Sequence, residues 1–418
     1  MGLDDTLAEL MQKDRERLGI VKESGVWTLT GEMQTEADAR DSYKLGQLVW
    51  LEFLNHQGAL SPADIKLVSC YGTHSRSDTD TTTTLGGLKL PFPVLAANMD
   101  FVVDAEFAIL FGQMGGLAVL HQFGDIETQL REIDAVKSAP TTPLSYRSAT
   151  SVPATKDGRL LVAAAVPSLN GFSERMPRLL DAGIDMIVID APHGLYPGMV
   201  ERGSETGGAV RLARKYIKDN QLDTLLVVGN VVTAMAAYEL LEAGADGIKV
   251  GIGPGQQCST SRETWAGMPM ISGIYFVSLV VKYFSSKKAF LVGDGGISNS
   301  GIGACYLAAG ADALMMGTLL GRTDKSAHFE ERRREGIVHV YGSASQYARE
   351  QRGCRGAEAP EGLDRWMPIL GSTDRVLFDF QGGIRSSMSY AGANVEGRSD
   401  IATLRENARF IRQTTNRD

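Results

Sequence analysis

The chain has 418 residues, 43% hydrophobic and 22% charged, the balance of a folded globular protein rather than a disordered or membrane-embedded one. Its net charge of -8 argues against a nucleic-acid binder, although local donors can still hold an anionic substrate. Scattered cysteines, no basic segment leading into an apolar one, and no apolar run longer than that from Met270 to Val281 point to free thiols in a cytoplasmic protein that crosses no membrane.

Residues 1–60 read as a helical N-terminal extension, with Asp4–Arg17 and Glu36–Leu54 periodic. Residues 61–418 read as one domain. From about Leu90, apolar runs alternate with helical patterns. The runs are Pro91–Asn98, Gly116–His121, Leu160–Val166, Met186–Ala191, Leu225–Val231, Gly247–Ile252, Ala289–Gly293 and Ala313–Gly317. Most are rich in Val, Ile and Leu without strict alternation, as strands covered on both faces should be. Helices are expected at Ala105–Met114, Ile126–Val136, Ala209–Asn220, Ala234–Ala243 and Gly301–Ala309, and Gly183 and Gly244 read as helix stops. This order predicts an α/β fold, a closed (β/α)8 TIM barrel, with an open doubly wound sheet as the competitor. Residues 138–159, rich in Pro, Ser and Thr, form a connection after the second helix. Residues 321–371 are charged and read as a mobile flap, before a C-terminal segment at 372–418.

Polar residues favour the barrel. Asn98, Met99 and Asp100, then His121, Asp190, Asn230, Cys258, Asp294 and Thr318, lie at or just after the carboxyl ends of their runs, which a barrel gathers on one face. The run Val250-Gly-Ile-Gly-Pro-Gly-Gln-Gln-Cys-Ser-Thr260 can wrap a ligand in backbone amides while aiming one thiol at it. Glycine-rich turns at Gly293-Asp-Gly-Gly296 and Met316-Gly-Thr318 suit a phosphate, and Asp294 suits a ribose diol. His121 reads as a hydrogen-bonded core residue.

With Ala96-Ala-Asn-Met-Asp100, Val228-Gly-Asn-Val-Val-Thr233, Glu361-Gly362 and Gly382-Gly-Ile-Arg-Ser386, these motifs resemble the IMP dehydrogenase/GMP reductase family from about Ile65 to Arg412. The resemblance implies a homotetramer binding a purine nucleoside monophosphate and a nicotinamide cofactor, with Cys258 forming a covalent adduct at C2 of the base. It places substrate contacts at Met99, Asn230, Gly255, Gln256, Gln257 and Asp294, and also at Gly296, Gly317, Thr318, Tyr341 and Gly342. Cofactor contacts fall at Asp190, Gly194 and Ser386, and a monovalent cation such as potassium is allowed at the loop's carbonyls.

The branch expected is GMP reductase-like. The long flap with an Arg-Tyr pair, found in IMP dehydrogenases, is lacking, and residues 138–159 leave no room for the regulatory (CBS) insert common in them, while Thr260 and Glu361 stand where reductases keep a proton-moving pair. Ser75-Arg-Ser-Asp78 also resembles a reductase segment. This implies reductive deamination with NADPH, NADH being the other nicotinamide allowed. An IMP dehydrogenase using NAD and a catalytically silent nucleotide-binding protein are the competing readings. Departures from the family pattern cluster near base and phosphate: Gln256 for serine, Gln257 for a small apolar residue, Ser261 for arginine, Gln122 for lysine, Glu358 for arginine and an unusual Trp265. They suggest an altered guanine nucleotide as substrate, for instance a 7-deazaguanine nucleotide of nucleoside-antibiotic biosynthesis.

Overall fold

The computed structural model describes residues 59–201, 207–283, 289–353, 360–394 and 396–413, with the backbone of 20–23 and 26–29. Eight parallel strands close into a barrel. They are β1 Val94–Ala96, β2 Leu117–Leu120, β3 Ala163–Pro167, β4 Met186–Asp190, β5 Leu225–Val231, β6 Gly247–Val250, β7 Phe290–Asp294 and β8 Ala313–Met316. Leu314 of β8 pairs with Val94 of β1 to close the ring. Each strand falls within or against one of the eight expected runs, so the closed barrel, not the open sheet, is the fold.

The apolar runs lack alternation because each strand borders two cores. Met186 and Val188 of β4 face the barrel interior, while Ile187 and Ile189 face the surrounding helices. The hairpin of Thr83–Leu85 and Leu88–Leu90 adds Leu85, Leu88 and Leu90 to the interior cluster.

The longer helices among the described residues are α1 Ala105–Met114, α2 Ile126–Ser138, α3 Phe172–Asp181, α4 Ala209–Asp219, α5 Ala234–Glu242, α6 Met270–Tyr283, α7 Ser300–Ala309 and α8 Thr373–Ala391. Asp104, Asp125, Thr233 and Asn299 cap α1, α2, α5 and α7 by accepting from backbone N–H groups of the first turn. Gly183 and Gly244 end α3 and α5 with φ of 73° and 113°, conformations that a side chain would strain. The expected stop at Gly183 marks the end of α3, whose start the sequence leaves open because Pro177 lies inside it. No expected helix covers α6 or α8, and α6 is so uniformly apolar that no stripe stands out.

The helices expected at Asp4–Arg17 and Glu36–Leu54 lie outside the described residues. Between them Ile20–Glu23 and Val26–Leu29 form an antiparallel hairpin rather than helix. Between β8 and α8 the chain builds a sheet of Arg333–Arg334, Ile337–Tyr341 and Asp364–Pro368, with a short helix at Gln346–Gln351.

Glu132 of α2 gives the fold a pH dependence. Burial, then the nearby Asp104 charge, raise its carboxyl to about 7, with Arg131 opposing. A raised carboxyl means the fold prefers the protonated form, so its contribution is complete below the unfolded value near 4.5 and is lost as pH climbs through about 7. Glu132→Gln is expected to stabilise the protein at pH 8 by about 1 kcal/mol, after allowance for solvent screening, and to leave it unchanged at pH 4. Urea midpoints at the two pH values test this; equal shifts at both would contradict it.

Candidate active site

The inward alternation of β4, β6 and β7 ends in charge. Continuing Met186 and Val188 brings Asp190 to the barrel's upper rim, and continuing Phe290 and Val292 brings Asp294. Lys249 rises beside Gly229 and Val292 in the strand register. Its Nζ donates to Asp190 Oδ1 at 2.6 Å and to Asp294 Oδ2 at 3.1 Å. Asn98 donates to Asp190 Oδ2 at 3.1 Å, and Asn230 to Asp294 Oδ2 at 2.8 Å. Burial opposes the charges of Lys249 and Asp190, but their attraction outweighs it: the ammonium is held above its ordinary range and the Asp190 carboxyl below its own. Lys249 was not among the candidate residues, yet a lysine in the middle of an apolar strand was a signal in itself.

Beyond β6 the glycine loop crosses this rim. Gly251 has φ of 151°, and a Cβ there would meet the Asp294 carbonyl oxygen at 2.1 Å, so only glycine fits. The carbonyls of Gly251, Gly253 and Gly255 already accept from Asn230 Nδ2, Ser261 Oγ and Cys258 N, oxygens that a bound cation would have to share. Cys258 is partly exposed and opens on a cavity of about 260 Å³.

Its thiol donates to Thr260 Oγ1 at 3.3 Å, and that hydroxyl donates to Glu361 Oε2 at 2.9 Å. A proton therefore has a continuous route between sulfur and carboxylate. The partners come from chain segments about a hundred residues apart, joined by main-chain pairing. Ser259 N donates to the Glu361 carbonyl at 3.0 Å, Leu363 N to that of Gln257 at 2.8 Å, and Gly342 N to that of Leu363 at 2.8 Å. Arg352 pins the same region by donating to Asp100 Oδ2 at 2.7 Å while lying over the Phe123 ring.

Of the expected residues, Cys258, Thr260 and Glu361 line the cavity together with Met99, Asn230, Gly255, Gln256 and Gln257. Asp190, Asp294, Gly296, Gly317, Thr318 and Gly342 complete that lining. Three expected contacts are not brought there. Tyr341 packs its ring against Phe101 and Tyr347, both at 4.9 Å, because its strand turns that face into an aromatic cluster. The Gly194 N–H holds the Asn230 carbonyl at 2.7 Å, which pins one loop to another. Ser386 Oγ donates to the Gly382 carbonyl within α8 at 3.0 Å. His121 accepts from the Phe123 N–H through Nδ1, and burial lowers its pKa, in keeping with a core role. Glu358 lies outside the described residues. Gln257 is 3% exposed, with its Nε2 at 3.5 Å from Met367 Sδ.

A second pocket of about 550 Å³ shares Asp190, Ala191 and Pro192 with the first and extends over Ser168, Leu169 and Tyr196. Two adjoining spaces joined at one carboxylate suit two ligands bound side by side. An ionised Asp190 there is an acceptor for hydroxyl groups of a ligand in either space.

A family model described as IMP dehydrogenase/GMP reductase domain matches residues 59–417. The chain is 30% identical to an inosine-5'-monophosphate dehydrogenase of Cryptosporidium parvum over 389 residues, covering 84% of this chain and 91% of that protein. It is 35% identical over 266 residues to an inosine-5'-monophosphate dehydrogenase of Staphylococcus aureus strain Mu50, covering 61% of this chain and 50% of that protein. The matched region thus spans half the length of the staphylococcal relative.

Proposed function

The chain belongs to the IMP dehydrogenase/GMP reductase family, a family of purine nucleotide oxidoreductases, and from that premise we propose that it catalyses NADPH-dependent reductive deamination at C2 of a guanine-type nucleoside monophosphate. The observation that carries this reading is the line from Cys258 through Thr260 to Glu361. Release of ammonia needs a proton delivered to a poor leaving group, and this relay ends beside the attacking sulfur.

In this mechanism Cys258 bonds through Sγ to C2 of the purine. Thr260 and Glu361 protonate the amino group, which departs as ammonia. A nicotinamide cofactor held beside Asp190 would supply a hydride to C2, and Cys258 would take back the carbon–sulfur electron pair as its thiolate. For GMP, the nucleotide, NADPH and two protons give IMP, NADP⁺ and ammonium. Asp294 holds the nucleotide ribose, the turns at Gly296 and Gly317 hold the phosphate, and Asp190 holds the cofactor ribose. Gln256 and Gln257 favour a modified base, such as a 7-deazaguanine nucleotide, over GMP itself.

The competing reading is NAD-dependent oxidation of IMP, favoured by the names of the two relatives described above. Purified protein with NADPH and a panel of guanine-type nucleotides is expected to consume reduced cofactor and release ammonia in equal amounts. NADH formation from IMP and NAD, with no reductive turnover, would reverse the assignment. Binding of nucleotides without turnover in either direction would leave a silent binding protein.

A further inference from the structure

Lys249 reaches across a gap in the barrel wall. Its neighbour in register on β5 is Gly229, where a Cβ would lie 2.5 Å from the lysine Cβ. The missing side chain lets the lysine pass over β5 to Asp190 on β4 while it also holds Asp294 on β7. The ammonium is almost occluded, with 3% of the side chain exposed, against 25% and 17% for the two carboxylates. A ligand in the cavity therefore meets the carboxylates first. Asp294 Oδ1 accepts no hydrogen bond among the described residues, which leaves it free for a hydroxyl. Asp190 borders both pockets and Asp294 only the first.

Two carboxylates that face one cavity repel one another and, left to themselves, would turn apart. One buried ammonium that donates to Asp190 Oδ1 and Asp294 Oδ2 offsets that repulsion and fixes both rotamers. We propose that Lys249 is a positioning residue that aims Asp190 and Asp294 at the hydroxyls of two riboses, one in each pocket, and so ties nucleotide binding to cofactor binding through one ammonium. This rests on the nucleotide and cofactor sites proposed above, but not on the direction of the reaction.

The test reads binding rather than turnover. Calorimetry compares GMP and IMP with their 2′,3′-dideoxy analogues on the wild type and on Lys249→Met, which keeps an unbranched apolar chain one atom shorter and removes the charge. The ribonucleotides and the cofactor should each bind about 10-fold to 30-fold more weakly to the variant, while the dideoxy analogues change less than about 3-fold. Lys249→Gln, which keeps a donor, should show a smaller loss with the same dependence on hydroxyls, and serves if the methionine variant does not fold. Equal losses for ribo and dideoxy nucleotides would show a collapsed cavity and overturn the proposal, as would unchanged affinities. Hydroxyl-dependent losses without reductive turnover would uphold it while defeating the proposed reaction. A wild type that binds none of these nucleotides defeats both.

Discussion

Replacing Cys258 with alanine should abolish turnover, by at least about 10⁴-fold in kcat, and leave nucleotide affinity within about 3-fold. The asymmetry follows from the site. Among the described residues the sulfur stands at the cavity end of the proton route, and a thiolate is a far stronger nucleophile than the Thr260 hydroxyl that links it to Glu361. On the proposed reading, binding rests on other groups: the carboxylates of the rim and the backbone of the glycine turns. The loop's shape depends on Gly251 and on the hydrogen bond from Asn230 to its carbonyl, neither of which the substitution touches. Cofactor consumption and calorimetry on the same preparation decide the matter. Residual turnover above about a tenth of wild type would remove the sulfur from the mechanism.

Glu361→Gln should lower kcat by about 10²-fold to 10⁴-fold, with ribonucleotide affinity nearly unchanged. The amide preserves size and can still meet Thr260, but it takes no proton, so the route from the thiol ends at the hydroxyl. Thr260→Val should cost about as much, since it breaks the same line one atom earlier. The double variant should be scarcely worse than either single one, because residues acting as a unit are not additive. Losses that multiplied would mean that the two act separately. Rate constants for ammonia release, measured in a single turnover, would place the defect at the proton-dependent step.

Much of this site could be read from residue order because the barrel turns sequence position into place. Polar groups closing apolar runs were gathered on one rim, as Asp190, Asn230 and Asp294 show. Contacts that depend on direction were less legible. Tyr341 stands next to the lining residue Gly342, yet strand alternation turns its ring into the aromatic cluster. Ser386 sits in a motif, but its hydroxyl satisfies its own helix. Lys249 escaped notice because apolar neighbours made its strand look purely structural. Only the strand register, which residue order does not show, sets Gly229 beside it.

The join between the cysteine loop and residues 361–363 has an evolutionary consequence. It is made of peptide groups, which every residue type except proline supplies in full. The Gln257 carbonyl would receive the Leu363 amide equally well from alanine, serine or valine. Substitution at positions 256 and 257 can thus reshape the cavity wall while sulfur and acid keep their spacing. A lineage built this way is able to change diet without relearning its chemistry, and variants exchanged at those two positions should differ far more in which purine they accept than in what they do to it.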